Sequence, residues 1–286
     1  MVMNEWRSLG LWGSSMVIVT FWIAGAQVPQ GESTAREKHS SVTVPFFAID
    51  GHSSPIGTIT QGELSVLDNK KSRSIVAIKA AMELPLRRGV LIDASSSEAR
   101  SELHEPAVQA ASDFLNQVLK GADDKVFLVR FSTTVDGTAF MSRDELLKSK
   151  FDLTPGGGTV LFDAVYFACN ERMQPDPIQP ARRVLVIISD GGENKSRVTR
   201  EKVIAAAQKS GTVLLAVSTN EKPGDNLDTR RLEEFAGKPG GVRIPESQRK
   251  NMPRVFSSIK EQIESMYAGS FIPAESAKPV SFAQLN

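Results

Sequence analysis

After residue 85 the chain alternates between two hydrophobic textures. Compact apolar runs, GVLID at 89–93, KVFLVRF at 125–131, RVLVIIS at 183–189 and TVLLAV at 212–217, leave little polar surface to face water. That is the pattern of strands covered on both faces. Between these runs apolar residues recur at steps of three and four. Ala107, Val108, Ala111, Phe114, Leu115, Val118 and Leu119 form one such stripe, with Pro106 near its first turn and Gly121 just beyond its end. Further helices are predicted over 160–172 and over 200–209, the second capped by Thr199 and closed by Gly211. A last helix fits Val255, Phe256, Ile259, Ile263 and Met266, and 267–272 reads as a closing strand. Alternation of this kind predicts an α/β fold: a Rossmann-like, doubly wound, mainly parallel sheet flanked by helices on both faces.

Ahead of residue 85 the period changes. Residues 42–84 hold short β-rich runs and predict a small antiparallel unit before the main domain. Residues 27–41 are polar, contain Pro29 and Gly31, and read as a linker, while 273–286 have no clear period and read as an extended tail. The first 26 residues differ again. Leu9 to Ile23, 15 residues without a charge, follow Arg7 and run into Ala24, Gly25 and Ala26, a small-residue cleavage pattern. A bilayer span wants roughly 20 residues. Residues 1–26 are therefore expected to be a signal peptide cut before Gln27, with a retained anchor and a buried core helix as the alternatives. The main domain is expected to occupy 85–272.

Composition narrows the function classes. With 41% hydrophobic residues in 286 the chain can build a sizeable core, and 34 basic against 33 acidic residues give a net charge of +1. No global field draws in nucleic acid or an anionic membrane, so any partner is chosen locally. The lone Cys169 cannot form an internal disulfide and sits in an apolar pattern, where it reads as a small buried hydrophobe.

Local chemistry concentrates where a parallel sheet places it, at the carboxyl ends of the strands. After the first strand Asp93, Ser95 and Ser97 alternate along an extended segment and can turn their oxygens to one spot. Thr159 follows Gly156, Gly157 and Gly158 at a helix start, and Asp190 stands at the end of the RVLVIIS strand. Each of these alone reads equally well as a cap or a turn residue. Together they are five hard oxygen ligands suited to Mg²⁺, with Mn²⁺ or Ca²⁺ as alternatives. The glycine loop lacks the G-x-x-x-x-G-K-[ST] pattern, which argues against a nucleotide. His39, His52 and His104 show no H-E-x-x-H spacing, G-x-S-x-G is absent, and no enzyme is expected.

In this order D-x-S-x-S, G-G-T and S-D-G resemble the metal-ion-dependent adhesion site of von Willebrand factor type A domains. MELPLRRGVLIDASSS, GGGTVLFDAV and VIISDGGENKS are similar to a related group in exported bacterial proteins, and the resemblance covers roughly Val42 to Ile272. It implies that Asp93, Ser95, Ser97, Thr159 and Asp190 hold a divalent cation, Asp93 and Asp190 partly through water. It also implies a partner protein whose Asp or Glu completes the coordination, an exported location, periplasmic or secreted, and membrane attachment only if the N-terminal segment is retained. The helix from Val255 to Met266 is then a candidate moving element. Asp163, four residues after Thr159, is expected to orient the loop. Two positions depart from the family pattern: Ser96 stands where Gly is usual, and Glu98 where Met is usual, adding a carboxylate able to compete with a partner's. A metal-assisted hydrolase using the same site and a metal-free structural domain of the envelope are the rival readings.

Overall fold

The computed structural model describes residues 19–21, 41–48, 55–68, 71–149, 153–176, 179–220, 227–237, 250–272 and 283–285. In chain order the strands are β1 (Val19–Phe21), β2 (Val42–Phe46), β3 (Val66–Asp68), β4 (Lys71–Arg73), β5 (Ile75–Ala80), β6 (Leu86–Asp93), β7 (Lys125–Phe131), β8 (Val135–Gly137), β9 (Arg182–Ser189), β10 (Thr212–Ser218), β11 (Tyr267–Phe271) and β12 (Ala283–Leu285). The helices are α1 (His104–Val118), α2 (Arg143–Lys148), α3 (Leu161–Phe167), α4 (Arg200–Ser210), α5 (Leu227–Gly237) and α6 (Met252–Glu264). Apart from Val19–Phe21 and Ser41, the expected leader and linker lie outside the described residues, as do His39, His52 and residues 273–282 and 286 of the expected tail.

The main sheet has five strands in the order β10-β9-β6-β7-β8. β10, β9, β6 and β7 run parallel, and β8 pairs antiparallel with β7 at one edge. Every residue of β9 is buried, as the unbroken apolar run requires. Successive residues alternate between two cores. Val90, Ile92, Val126, Leu128, Val186 and Leu215 meet α1 and α6 on one face, while Leu91, Phe127, Val129, Ile187 and Leu214 meet α3, α4 and α5 on the other. At Gly89 a Cβ would sit 2.3 Å from Leu185 Cδ2 and 2.5 Å from Phe127 Cζ, so only glycine fits at this crossing of the central strand.

Helix ends follow their local chemistry. Thr199 Oγ1 accepts from the Lys202 amide at the start of α4, and Gly211 closes that helix at φ 61°. α3 runs on as one π-helical turn over Ala168–Arg172, which buries Cys169 and pushes its thiol up to about 12. The helix α2 is set by a reciprocal capping box, in which Ser142 accepts from the Glu145 amide and Glu145 accepts from the Ser142 amide.

The β-rich prelude and the closing strand turn out to be one structure. β11 is the middle strand of an antiparallel sheet, between β2 and β5. Phe46 and Phe47 of the prelude share a core with Phe256 and Ile259 of α6 and with Phe114 of α1. β2, β5 and β11 thus cover one face of the main domain together. A four-stranded arrangement β1-β12-β3-β4 brings Val19–Phe21 against Ala283–Leu285, so the stretch expected as a periodless tail contains a strand.

Candidate metal site

The chain runs from β6 to β7 on one side and later returns through β9 on the other, so strand order reverses at β6. Loops leaving the carboxyl ends of β6 and β9 diverge there and leave a crevice between them. Asp93 ends β6 and Asp190 follows β9.

Asp93 is fully buried. Its Oδ1 accepts from the Ser95 amide at 2.9 Å and its Oδ2 from Ser189 Oγ at 2.6 Å. Ser189 Oγ also accepts from the Gly191 amide, which ties the two strand ends to one another. Ser95 is buried, and its Oγ lies 3.1 Å from Ser97 Oγ. The Asp190 carboxylate accepts from the Gly192 amide at 2.8 Å. A Cβ on Gly192 would stand 3.0 Å from Asp190 Oδ1 and 3.7 Å from Thr159 Oγ1, so these two oxygens flank a single point. The loops carrying Asp93, Thr159 and Asp190 therefore converge.

Contacts between the loops set their positions. The Gly156 amide donates to Ala94 O and the Ser96 amide to Gly157 O, laying the glycine loop against the Asp93 loop. Gly157 has φ 82°, and a Cβ there would meet Thr133 Oγ1 at 2.3 Å. Asn194 Oδ1 accepts from the Thr159 amide, and the Asn194 amide donates back to Thr159 O. Asp163 accepts from the amides of Arg197 and Val198. It thus braces the loop after β9. Gly191, at φ 88°, presses against Asp228 O of α5, and Arg231 donates to both Gly191 O and Asp228 Oδ1.

Glu98 lies deeper than an accessory group. It is 2% exposed, and its Oε1 accepts from the Asp190 amide at 2.8 Å and from Thr219 Oγ1 at 2.7 Å. Its buried Oε2 has no hydrogen-bond partner among the described residues. Asp93, Glu98 and Asp190 each place a carboxylate oxygen within 4.8 Å of the other two. Burial, reinforced by Asp93 and Asp190, pushes the Glu98 carboxyl up to about 8. Burial likewise raises Asp93 to about 6, against the lowering pull of its bonds from Ser189 and Ser95. A buried oxygen without a donor, beside two more carboxylates, fits a hard divalent cation.

Sequence reasoning did not single out Ser189, Asn194, Thr219 or the role of His104. His104 is buried, with Nε2 2.7 Å from Asp93 O, so it supports the β6 terminus from behind. Ser189 lay inside the quoted S-D-G motif. Thr219, directly after the apolar run of β10, was the most readable of the others.

The family model of the von Willebrand factor type A domain matches residues 89–258. The chain belongs to this family. Von Willebrand factor type A domains are generally adhesion and protein-interaction modules. No curated protein matches the sequence. Among solved structures, proximal thread matrix protein 1 of the mussel byssus, described with a zinc-occupied MIDAS motif, is 16% identical with a TM-score of 0.50 over 67% of this chain and 48% of that one. An aerotolerance-related membrane protein from Bacteroides fragilis is 17% identical, with a TM-score of 0.43 over 62% of this chain and 98% of that one. A von Willebrand factor type A protein from Catenulispora acidiphila is 13% identical, with a TM-score of 0.47 over 78% and 50%. This chain thus spans about half the length of the mussel and Catenulispora chains, and at such identities the likeness is one of fold. Among the described residues no helix is long and apolar enough to cross a membrane.

Proposed function

We propose that this von Willebrand factor type A domain is a non-catalytic, divalent-cation-dependent protein-binding module of the bacterial envelope, exported behind residues 1–26. Its cation is Mg²⁺ or Mn²⁺, held by Asp93, Ser95, Ser97, Thr159 and Asp190, and the partner contributes an Asp or Glu. The observation that carries this reading is the convergence of three carboxylates from the β6 and β9 loops at the switch point of the sheet, one with a buried oxygen that no donor among the described residues satisfies. A cation left open on one side at a protein rim attracts a further anionic oxygen. Asp93 and Asp190 would hold the ion, the hydroxyls of Ser95, Ser97 and Thr159 would complete its oxygen shell, and Asp163 would keep the surrounding loop in place.

Calorimetric titration of Mn²⁺ into the full chain tests the first step. Saturable binding is expected in wild type and its loss in D190A; no binding at millimolar metal would remove the reading. Capture of partners from the native envelope, run in parallel with Mg²⁺ and with chelator, tests the second. Partners should be retained with Mg²⁺ and released by chelator, and retention unchanged by chelation would favour a metal-free structural role.

A further inference from the structure

Glu98 is arranged unlike a spectator. Its side chain is clamped at one oxygen and open at the other: Oε1 receives the Asp190 amide and the Thr219 hydroxyl, while Oε2 is buried and receives nothing among the described residues. The clamp has its own backing, because the Thr219 amide donates to Ser189 O and Ser101 Oγ donates to Thr219 O. The main chain of Glu98 is fixed as well, at the start of a helical turn over Glu98–Arg100, where its amide donates to Ser95 O and its carbonyl accepts from the Ser101 amide. Held this firmly, Glu98 keeps a carboxylate oxygen within 4.8 Å of those of Asp93 and Asp190.

Charge counting gives the consequence. Two carboxylates and a divalent cation sum to zero, and an arriving carboxylate meets a field it can enter. Three carboxylates and the same cation sum to −1, and a further carboxylate is repelled.

We propose that Glu98 is a tethered internal ligand of the metal, occupying the position that an acidic partner residue would take. The inference rests on the metal reading above. At rest the site retains its cation without a partner and is closed to carboxylates. Capture of an acidic residue requires Glu98 to leave, which also frees the Thr219 hydroxyl and the Asp190 amide. Access is thereby controlled from the end of β10.

The test is Mn²⁺ titration of the full chain, as wild type, E98Q and T219V, in sodium chloride and in sodium acetate of equal ionic strength. Acetate serves as the carboxylate probe, and circular dichroism checks the fold of each variant. E98Q keeps the shape and the Oε1 clamp but removes the charge, and its Mn²⁺ affinity is expected to fall by about tenfold or more. Acetate should leave wild type within about twofold and recover much of the loss in E98Q. T219V, with the charge present but the hydroxyl half of the clamp gone, should gain the acetate response. Equal Mn²⁺ affinity in wild type and E98Q, with D190A impaired, would overturn this role for Glu98 and leave the metal reading standing. An acetate response as large in wild type as in E98Q would overturn the closure. Absence of binding in wild type would remove both readings together.

Discussion

At the scale of single residues, the polar groups around Asp93 decide what the crevice can do. Ser189 Oγ bonds both Asp93 and the Gly191 amide. Replacing it with alanine leaves a buried carboxylate oxygen and a buried amide without that partner. S189A is expected to lower stability by about 1–3 kcal/mol in urea unfolding and to weaken Mn²⁺ binding as well. The titration of the site gives a second expectation. Metal-free Glu98, near 8, and Asp93, near 6, both stand above their ordinary values of 4.5 and 3.8. A raised folded value means stability that is full below the ordinary value and is lost as pH rises through the folded one. The melting temperature in chelator should therefore fall between about pH 4 and about pH 9, and Mg²⁺ should flatten the slope by favouring the ionised groups. A flat profile without metal would show that the carboxyls are not held as described.

At the scale of elements, legibility tracked length and burial. β6, β7, β9 and β10 were readable because each is an apolar run wet on neither face, and α1 and α6 because their apolar stripes keep helical spacing. α5 was not foreseen. Its sequence LDTRRLEEFAG is dominated by charge, and Leu232 and Phe235 are its deeply buried apolar anchors. α2 is a six-residue helix whose signal was the S-x-x-E box at Ser142 and Glu145, present in the sequence but short of any apolar stripe. The candidate site divided in the same manner. Asp93 and Asp190 stand at strand ends and Thr159 at a helix start, places a rule can find, whereas nothing local shows that Glu98, followed by two exposed residues, points inward. Burial of that kind is decided by Thr219, 121 residues away. Gly89 offers a test of element packing. G89A forces a methyl into Leu185 and Phe127 on the central strand and should cost roughly 1–3 kcal/mol in chemical denaturation, without altering the ligand loops.

At the scale of the whole molecule, the prelude belongs to the domain rather than preceding it. β11 bonds to β2 on one edge and β5 on the other, and Phe46 and Phe47 are 1% and 2% exposed in the core shared with α6. Removing residues 42–84 would uncover both edges of β11 and the apolar face behind α6. The shortened chain is expected to lose its cooperative thermal transition or to aggregate on gel filtration, and a sharp melt close to that of the full chain would refute this account. Far from the candidate site, Arg88 is fully buried beneath Phe114, with no acceptor for its three guanidinium nitrogens among the described residues. R88M removes a buried charge that no hydrogen bond satisfies among the described residues, keeps the volume, and should raise the urea midpoint.

The position of β11 also limits how news of an occupied crevice could travel. α6 ends at Glu264, and three residues later the chain is stitched into the centre of a sheet. A helix moored by its tail cannot slide like a piston without tearing two ladders of backbone bonds. Whatever travel α6 makes is a swing about that mooring, largest at Met252 and vanishing toward Ser265.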